Sequence, residues 1–436
     1  TRRSGSKVVE ATDAPAGIAA DTFMEVLIDK DNNRLGVVIG GTAYIAVDSG
    51  VAIQDTMTQI FVSTEGSGVT ATVDFGQSGF TPSQTGYKAL STANLPDPAI
   101  ADPSAHFQTT LYTGNGSTQS INQSGNSTFQ PDWVWIKNRD ATDSHVLTDA
   151  VRGATKILSS DTTDAESTDA DTLTAFESDG FALGDDDKVN TNTEKFVAWQ
   201  WKANGSGSSN EDGSINTTAT SANTTAGFSI IEWTGTAANG TIGHGLGVQP
   251  SLYILKNTAT TNSWLVGSTV YAATAYLSIG NTDALATGDT AVFNSTHPTS
   301  SVINLGSNVG TNGASGTGNM ICYAFAEVEG FSKISSFEGN TSTDGSFVYT
   351  GFRPAFVLVK NIDAVTVWPI QDTARSPFNL ANAQVFTDRT TAETTGYQID
   401  ILSNGFKARS ADTGINGATM VYLAIAETPF KTATAR

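Results

Sequence analysis

Short apolar stretches separated by polar turns run through most of the chain. Residues 228–233, 252–255 and 356–359 are rich in β-branched and aromatic side chains, and clusters of Gly, Asn and Thr bound each stretch. Runs of this length and composition indicate strands, and no stretch shows the 3.6-residue spacing of a helix. We therefore predict an all-β fold of tandem β-sandwich or jelly-roll domains, without helices.

One strand pattern, Pro-x-(four apolar)-Lys-Asn, occurs three times. Its copies occupy residues 131–138, 250–257 and 354–361. The landmarks His145, Trp264 and Trp368 each lie eight residues after the Lys of the pattern. Recurrence at a fixed spacing is the signature of repeat architectures. The sequence therefore predicts three tandem β repeats, at 107–204, 227–329 and 330–431.

Composition marks the remaining boundaries. Three prolines fall within residues 96–103, and residues 203–227 contain almost no large apolar side chain, which indicates linkers near 100 and 215. We assign the rest of the chain to an N-terminal arm at 1–22, a separate β domain at 23–100 and a linker at 205–226. The sequence begins at Thr1, without an initiator Met or a signal-peptide pattern, which is compatible with a processed protein and with missing N-terminal residues.

Further motifs accompany the repeated strand. They are residues 113–116 (Thr-Gly-Asn-Gly), 151–156 (Val-Arg-Gly-Ala-Thr-Lys), 178–181 (Ser-Asp-Gly-Phe) and 243–247 (Gly-His-Gly-Leu-Gly). Together with the string at 131–138, they resemble a domain of unknown function found in virion proteins of marine tailed bacteriophages, especially tail-fibre-like and structural proteins. The resemblance covers about three quarters of the chain.

The segment ahead of the repeats has a resemblance of its own. Residues 23–28, 36–37 and 69–77 resemble the opening and closing strands of a SPRY domain, a concanavalin-like β-sandwich. Only about 18 residues separate Val37 from Asp55, so the middle hairpins of that domain are missing. The resemblance implies a shortened SPRY-like sandwich at 23–100, and the shortening argues against carrying over a ligand site from the SPRY loops.

Charge and cysteine content exclude several classes of partner. The chain has 23 Lys and Arg against 43 Asp and Glu, a net charge of −20, which excludes a basic surface for nucleic acid or anionic lipid. The single Cys322 excludes an intramolecular disulfide. No apolar run reaches the 18 residues of a membrane span. We expect no nucleic-acid partner, no membrane insertion and no cofactor.

Two pairs of tryptophans are candidates for a sugar-binding platform. Trp133 and Trp135 share one face of a strand, as do Trp199 and Trp201. The equivalent positions of the other repeats hold Leu, Ile, Phe or Tyr, and a position filled by either aromatic or aliphatic side chains is a packing position. We therefore interpret these four side chains as core.

The histidines do not form a catalytic pattern. His145 lies between Asp143 and Asp149, as a base beside its orienting carboxylate would. Tryptophan occupies its position in the other two repeats, which favours a structural role. His244 belongs to a Gly-rich loop, and His106 and His297 have no nucleophile pattern nearby. We assign no catalytic, cofactor-binding or metal-ligating residue.

Acidic residues have the spacing of a calcium loop in one place. Asp29, Asp31 and Asn33 match its first three ligands, but Arg34 stands where a Gly is needed, so we predict a polar hairpin turn. Two further groups either recruit calcium at an interface or form solvated loops, and we favour solvated loops. They are residues 185–187 (three Asp) and the set Asp164, Glu166, Asp169 and Asp171.

Charged residues also recur with the repeats. Asp149 precedes Arg152 by three residues, and Asp372 precedes Arg375 by the same spacing, which predicts local salt bridges that hold a turn. The Lys of each repeated strand ends that strand, and we predict that it marks the return of the chain to solvent. These residues are Lys137, Lys256 and Lys360.

The resemblance implies a non-enzymatic structural protein at the outer surface of a phage particle. We expect a tail fibre, spike or head fibre that presents β domains for attachment to a host receptor or glycan. The expected partners are other virion proteins and copies of the chain itself, with a trimer favoured. One alternative is a capsid decoration or scaffold protein without receptor binding. Another is a polysaccharide depolymerase, which needs two carboxylates about 5–10 Å apart.

Overall fold

A computed structural model describes residues 24–29, 34–39, 42–47, 88, 94, 97–313 and 318–432. Strands make up 43% of these residues and helices 6%, so the prediction of an all-β fold is confirmed. Two compact units are separated at Pro96 and Asp97. No helix among these residues is long and apolar enough to cross a membrane.

The described part of the N-terminal unit is an antiparallel meander. Its strands are β1 (Met24–Asp29), β2 (Arg34–Ile39) and β3 (Thr42–Val47). Asp29 pairs with Arg34 at the end of the antiparallel pair β1 and β2, and the turn predicted between them lies outside the described residues. Asp31 and Asn33 of the calcium-loop pattern, the arm at 1–22 and the closing SPRY-like strand at 69–77 lie outside the described residues.

The C-terminal unit contains the three repeats. The first comprises β4 (Phe107–Thr113), β5 (Gln119–Asn122), β6 (Trp133–Asn138), β7 (Val146–Asp149), β8 (Lys156–Ile157), β9 (Ser167–Thr168), β10 (Leu173–Glu177), β11 (Gly180–Leu183), α1 (Asp187–Asn190) and β12 (Lys195–Trp201). The second comprises β13 (Ala219–Asn223), β14 (Phe228–Thr234), β15 (Gly240–Gly243), β16 (Leu252–Asn257), β17 (Leu265–Ser268), α2 (Thr290–Phe293), β18 (Val302–Leu305), α3 (Val309–Asn312) and β19 (Asn319–Phe325). The third comprises β20 (Ser332–Glu338), β21 (Phe347–Tyr349), β22 (Phe352–Asn361), β23 (Pro369–Asp372), β24 (Ala381–Phe386), β25 (Thr394–Leu402), β26 (Gly405–Ala408), α4 (Thr413–Asn416) and β27 (Thr419–Pro429).

Each of the three repeats contains an inner sheet with the same strand order. The strand orders are β4-β12-β6-β7, β14-β19-β16-β17 and β20-β27-β22-β23, all antiparallel. In each sheet the strand with the repeated pattern lies beside the closing strand of the repeat. Every residue of β6 and β16 is buried. A strand that is apolar on both faces needs cover on both, and this strand has it in each repeat.

The inner faces of all three sheets meet in one hydrophobic core. This core contains Trp133 and Trp199 of the first repeat, Ile254 and Tyr323 of the second and Leu358 of the third. The expectation of separate domains in series is therefore wrong for the repeats, which form one compact unit around a common core. The physical reason is that each inner sheet has an apolar face that only the other two repeats cover.

The outer faces are covered within each repeat. In the first repeat Val134 and Ile136 pack under the small sheet β10-β11-β5, and in the second Tyr253 and Leu255 pack under β15-β18. In the third repeat the outer strands continue the inner sheet, which makes one eight-stranded sheet. Each repeat is thus a two-layered β unit whose outer layer faces away from the common core.

A ring of backbone hydrogen bonds closes the three repeats on each other. The amide of Glu166 donates to the carbonyl of Thr258 at 2.8 Å, so the first repeat binds the second. At the equivalent position Leu285 donates to Ile362 at 2.9 Å, from the second repeat to the third. Glu393 donates to Arg139 at 2.8 Å, from the third back to the first. We call the three contacts the first–second, second–third and first–third seams.

Two expectations about local structure are also wrong. Residues 205–226, expected to be a linker, contain β13, which pairs with β14 and so belongs to the second sheet. Short helices are present, because α1 to α4 each form a single turn. One turn is too short to show a helical period in the sequence. An Asp or Asn side chain caps the N-terminus of each turn: Asp186 for α1, Asp289 for α2, Asn308 for α3 and Asp412 for α4.

Candidate functional site

The four candidate tryptophans are buried in the common core. Trp133, Trp135, Trp199 and Trp201 are at most 3% exposed. The ring centroid of Trp133 lies 4.3 Å from that of Tyr323 and 4.4 Å from that of Trp201. Aromatic rings this close fill one another's contact surface, and no sugar ring can reach them. These side chains hold the repeats together.

His145 is also a seam residue. The indole Nε1 of Trp135 donates to His145 Nδ1 at 2.8 Å, so Nδ1 carries no proton. Nε2 then carries the proton and donates to the carbonyl of Phe386, 2.8 Å away in the third repeat. Burial lowers the pKa of His145 to about 3, and the charge of Lys137 adds to this. A neutral, fully bonded imidazole with such a pKa is a poor general base near neutral pH.

Tryptophans make the equivalent contact at the other two seams. Nε1 of Trp264 donates to the carbonyl of Ser159 in the first repeat at 2.8 Å. Nε1 of Trp368 donates to the carbonyl of Ser278 in the second at 3.0 Å. One planar side chain per repeat therefore donates a hydrogen bond across each seam. This explains why the position holds either His or Trp.

The three lysines of the repeated strand are buried, so the prediction that they mark a return to solvent is wrong. Lys137, Lys256 and Lys360 have no exposed surface. The ammonium of Lys256 donates to the carbonyl of Thr163 at 2.9 Å, and that of Lys360 donates to the carbonyl of Thr282 at 3.1 Å, each in the preceding repeat. Burial lowers the pKa of all three lysines to about 8. Lys256 and Lys360 thus reach across a seam, whereas Lys137 donates to the carbonyls of Asn138 and Ala141 in its own repeat.

The two predicted salt bridges are present and deeply buried. Arg152 Nε lies 2.6 Å from a carboxylate oxygen of Asp149, and Arg375 Nε lies 2.6 Å from one of Asp372. All four side chains are at most 1% exposed. Each carboxylate also accepts from its own turn, because the amides of Arg152 and Arg375 donate to it. Both carboxylates are therefore engaged in holding a turn.

Each of these carboxylates also binds an aromatic side chain of another repeat. The hydroxyl of Tyr323 donates to Asp149 at 2.7 Å across the first–second seam. Nε1 of Trp199 donates to Asp372 at 3.1 Å across the first–third seam. The salt bridges are therefore parts of two seams as well as local turn contacts.

The second–third seam lacks this arrangement. Ser268 and Tyr271 occupy the positions that hold Asp and Arg in the other repeats. The hydroxyl of Tyr271 donates to the carbonyl of Val266 at 2.8 Å, as Arg152 and Arg375 donate to the equivalent carbonyls. Tyr271 and Leu423 line a small apolar cavity there. This seam is held by packing where the other two also use charge.

The remaining titratable candidates are structural in the same way. Glu166 lies 3.2 Å from Arg152, and Asp186 caps α1. Among the residues that the structure describes, no group of three or more His, Cys, Asp or Glu side chains is placed to hold a metal ion. His244 is buried, and its Nδ1 accepts from the amide of Leu246 at 3.1 Å. His106 lies 3.1 Å from the side chain of Asn223.

A surface feature of the third repeat was not predicted. Phe347, Tyr349, Phe378 and Leu380 are 46%, 60%, 74% and 42% exposed. The three rings are the only exposed aromatic side chains among the described residues. We call these four side chains the third-repeat patch. Large apolar side chains that gather on a surface mark a contact site more often than scattered ones do.

The patch is fixed to one hairpin of the outer layer. Phe347 and Tyr349 lie on β21, which pairs with β26. On the other side of the hairpin formed by β25 and β26, the side chain of Asn379 accepts from the amide of Ile401 at 2.8 Å and donates to its carbonyl at 2.9 Å. In the sequence, Asn379 lies between Phe378 and Leu380, the two other members of the patch. The four side chains therefore flank a single hairpin.

Comparison with the other repeats reveals the signal that the sequence carries for this patch. Gly180 and Gly405 are equivalent, because each leaves no room for a Cβ beside the carbonyl of the neighbouring strand. Asn122 faces Gly180 as Tyr349 faces Gly405. The positions equivalent to Phe347 and Tyr349 therefore hold Ser120 and Asn122 in the first repeat. By the same alignment they hold Thr241 and Gly243 in the second.

An insertion supplies the rest of the patch. Leu158, Leu277 and Val385 are equivalent because each pairs with the strand that follows the repeated pattern. Six residues separate Arg152 from Leu158, but ten separate Arg375 from Val385. The third repeat thus gains four residues in the segment that contains Phe378 and Leu380.

The fold and the seams define an all-β protein in which three similar two-layered units close around one core. A family model described as a domain of unknown function, DUF7483, matches residues 102–429. The match spans all three repeats, and the chain belongs to this family. No curated protein matches the chain.

Proposed function

We propose that the protein is a non-enzymatic structural component at the outer surface of a phage particle, where it presents β units for attachment. The phage context rests on the sequence resemblance. The observation that supports an attachment role is the third-repeat patch, an apolar surface on a scaffold whose buried polar groups hold its seams. We expect a tail fibre, spike or head fibre.

The seams suit a presenting scaffold. Each is held by a backbone hydrogen bond and by an imidazole or indole that donates to the neighbouring repeat. A rigid support lowers the entropy lost when a surface binds its target. Many copies on one particle then raise the effective concentration, so a weak contact by each copy suffices. We expect the chain to work as a homo-oligomer, with a trimer favoured, or among other virion proteins.

Immunogold electron microscopy of the phage that encodes the chain tests this proposal. Antibodies raised against the purified chain should label fibres or spikes of intact particles. Label restricted to the capsid shell, together with failure of the purified chain to compete with particles for cells, would favour capsid decoration. Absence of the chain from gradient-purified particles, measured by mass spectrometry, would contradict a virion role. Release of reducing ends from host polysaccharide would point to a depolymerase.

A further inference from the structure

We propose that the third-repeat patch is a binding site for a neutral saccharide. This inference rests on the proposed attachment function and identifies the surface and the chemical class of its target. It is argued from the exposed rings, the balance of charge and the size of the patch.

The exposed rings supply the first argument. Tyr349 and Phe378 have 60% and 74% of their surface free, and Phe347 has 46%. Two repeats fill the outward positions of the equivalent strand with small residues, so the fold does not need rings there. Comparison of equivalent positions in the three repeats identified the core tryptophans as packing residues. The same comparison indicates that Phe347 and Tyr349 are not needed for packing. An aromatic ring that faces outward offers an apolar plane to the C–H face of a sugar.

The balance of charge supplies the second argument. Residues 345–352, 376–386 and 401–406, which hold the patch and the turn of its hairpin, contain no Asp, Glu, Lys, Arg or His, although the chain carries a net charge of −20. The strands of the hairpin carry Asp400 and Lys407, and Lys407 pairs with Phe347 across β26 and β21. Both charges are matched, because Lys407 lies 2.6 Å from Asp344 and Asp400 lies 3.4 Å from Arg409. A surface whose charges are matched suits a neutral ligand better than an anionic or cationic one.

The third argument is the small size of the patch and its mixture of apolar and hydrogen-bonding groups. A stable protein interface buries about 800 Å² per partner, more than four separated side chains provide. The rings flank a turn that carries the half-buried hydroxyl of Ser403 and amide of Asn404. Alternating apolar planes and hydrogen-bonding groups match the C–H faces and hydroxyl edges of sugar rings.

Affinity electrophoresis tests the inference with the whole chain. The anionic protein is run in native gels that contain dextran, laminarin or agarose, which are neutral, or alginate, which is anionic. We expect retardation in at least one neutral gel and none in alginate. The double variant Phe347→Ser/Tyr349→Asn restores the residues of the first repeat at exposed positions. It should weaken retention at least tenfold, and Phe378→Ser should weaken it too.

The control is Val309→Thr, which removes an exposed apolar side chain of the second repeat, where Val309 is 47% exposed. It should leave retention unchanged. Normal mobility in every neutral gel would overturn the inference, as would full retention of the double variant or retention in alginate alone. A dimer in light scattering that the double variant converts to a monomer would assign the patch to a second copy. Immunogold labelling of particles is independent of all these results, so a failed saccharide site leaves the virion proposal separately testable.

Discussion

Two of the three seams contain a buried ion pair, and the third does not. Across the first–second and first–third seams, an aromatic side chain donates to a carboxylate already paired with Arg. Across the second–third seam, Tyr271 and apolar side chains take that place. All three seams keep the backbone hydrogen bond and the planar side chain. The shared contacts therefore define the ring, and the ion pair is one of two local solutions.

The largest effect is expected for Trp135→Ala at the first–third seam. Removing this buried ring leaves a cavity and takes the donor from His145, and the cost should be about 3–5 kcal/mol of unfolding free energy. Urea denaturation followed by circular dichroism measures it. If the variant kept its melting temperature but lost retention in polysaccharide gels, Trp135 would be a ligand residue and not a core residue.

Breaking one ion pair should cost nearly as much. Asp372→Ala leaves Arg375 buried with Glu393, 3.3 Å away, as its remaining carboxylate partner, and should destabilise the protein by about 3 kcal/mol. The double variant Asp372→Ser/Arg375→Tyr introduces the residues of the second–third seam. Its free energy of unfolding should fall less than that of the single variant. A double variant at least as unstable as Asp372→Ala, in the same urea assay, would show that the two seam types are not interchangeable.

Acid should weaken the first–third seam specifically, because it alone uses His145 where the others use Trp. The pKa of His145 is about 3 in the folded protein and about 6.5 when unfolded. The unfolded chain therefore binds more protons in this window. Stability from this residue is complete above pH 6.5 and falls by about 1.4 kcal/mol per pH unit towards pH 3.

Comparison with His145→Gln measures this effect. Glutamine can donate and accept hydrogen bonds but does not titrate, and His106 and His244 remain in both proteins. Urea melts between pH 7 and 4 should show a steeper loss for the unsubstituted protein. Parallel pH curves for the two proteins would contradict the burial of a neutral imidazole.

The smallest effect is expected at the apolar seam. Tyr271→Phe removes the hydrogen bond to Val266 but keeps the ring, and should cost about 1 kcal/mol. Thermal denaturation of the variant measures it. A loss as large as that of Asp372→Ala would mean that the second–third seam also depends on a polar contact.

The sequence predicts the strands well and their assembly poorly. The recurrence of Pro-x-(four apolar)-Lys-Asn locates the buried strand of each repeat, because a strand that is apolar on both faces must be covered twice. Nothing in that pattern says which elements supply the cover. Trp133 and Trp199 therefore indicate a core without indicating that three repeats share it.

The seam polar groups show a different limit. Lys256 and Lys360 end their strands, where a charged side chain normally meets solvent, and only the fold brings the carbonyls of Thr163 and Thr282 to them. The patch was accessible from sequence, since Phe347 and Tyr349 align with Ser120 and Asn122. That signal appears only when repeats are compared for their differences as well as their similarities.

The closing contact of the ring has a consequence for synthesis. Arg139 binds Glu393 across 254 residues of chain, with an Arg nitrogen 2.8 Å from the carboxylate. At a translation rate of about 5–20 residues per second, roughly 10–50 s pass between the emergence of the two residues from the ribosome. Throughout that interval the nascent chain displays apolar sheet faces that have no partner yet. We therefore expect chaperones that bind apolar surfaces to raise the yield of folded protein when they are present during synthesis.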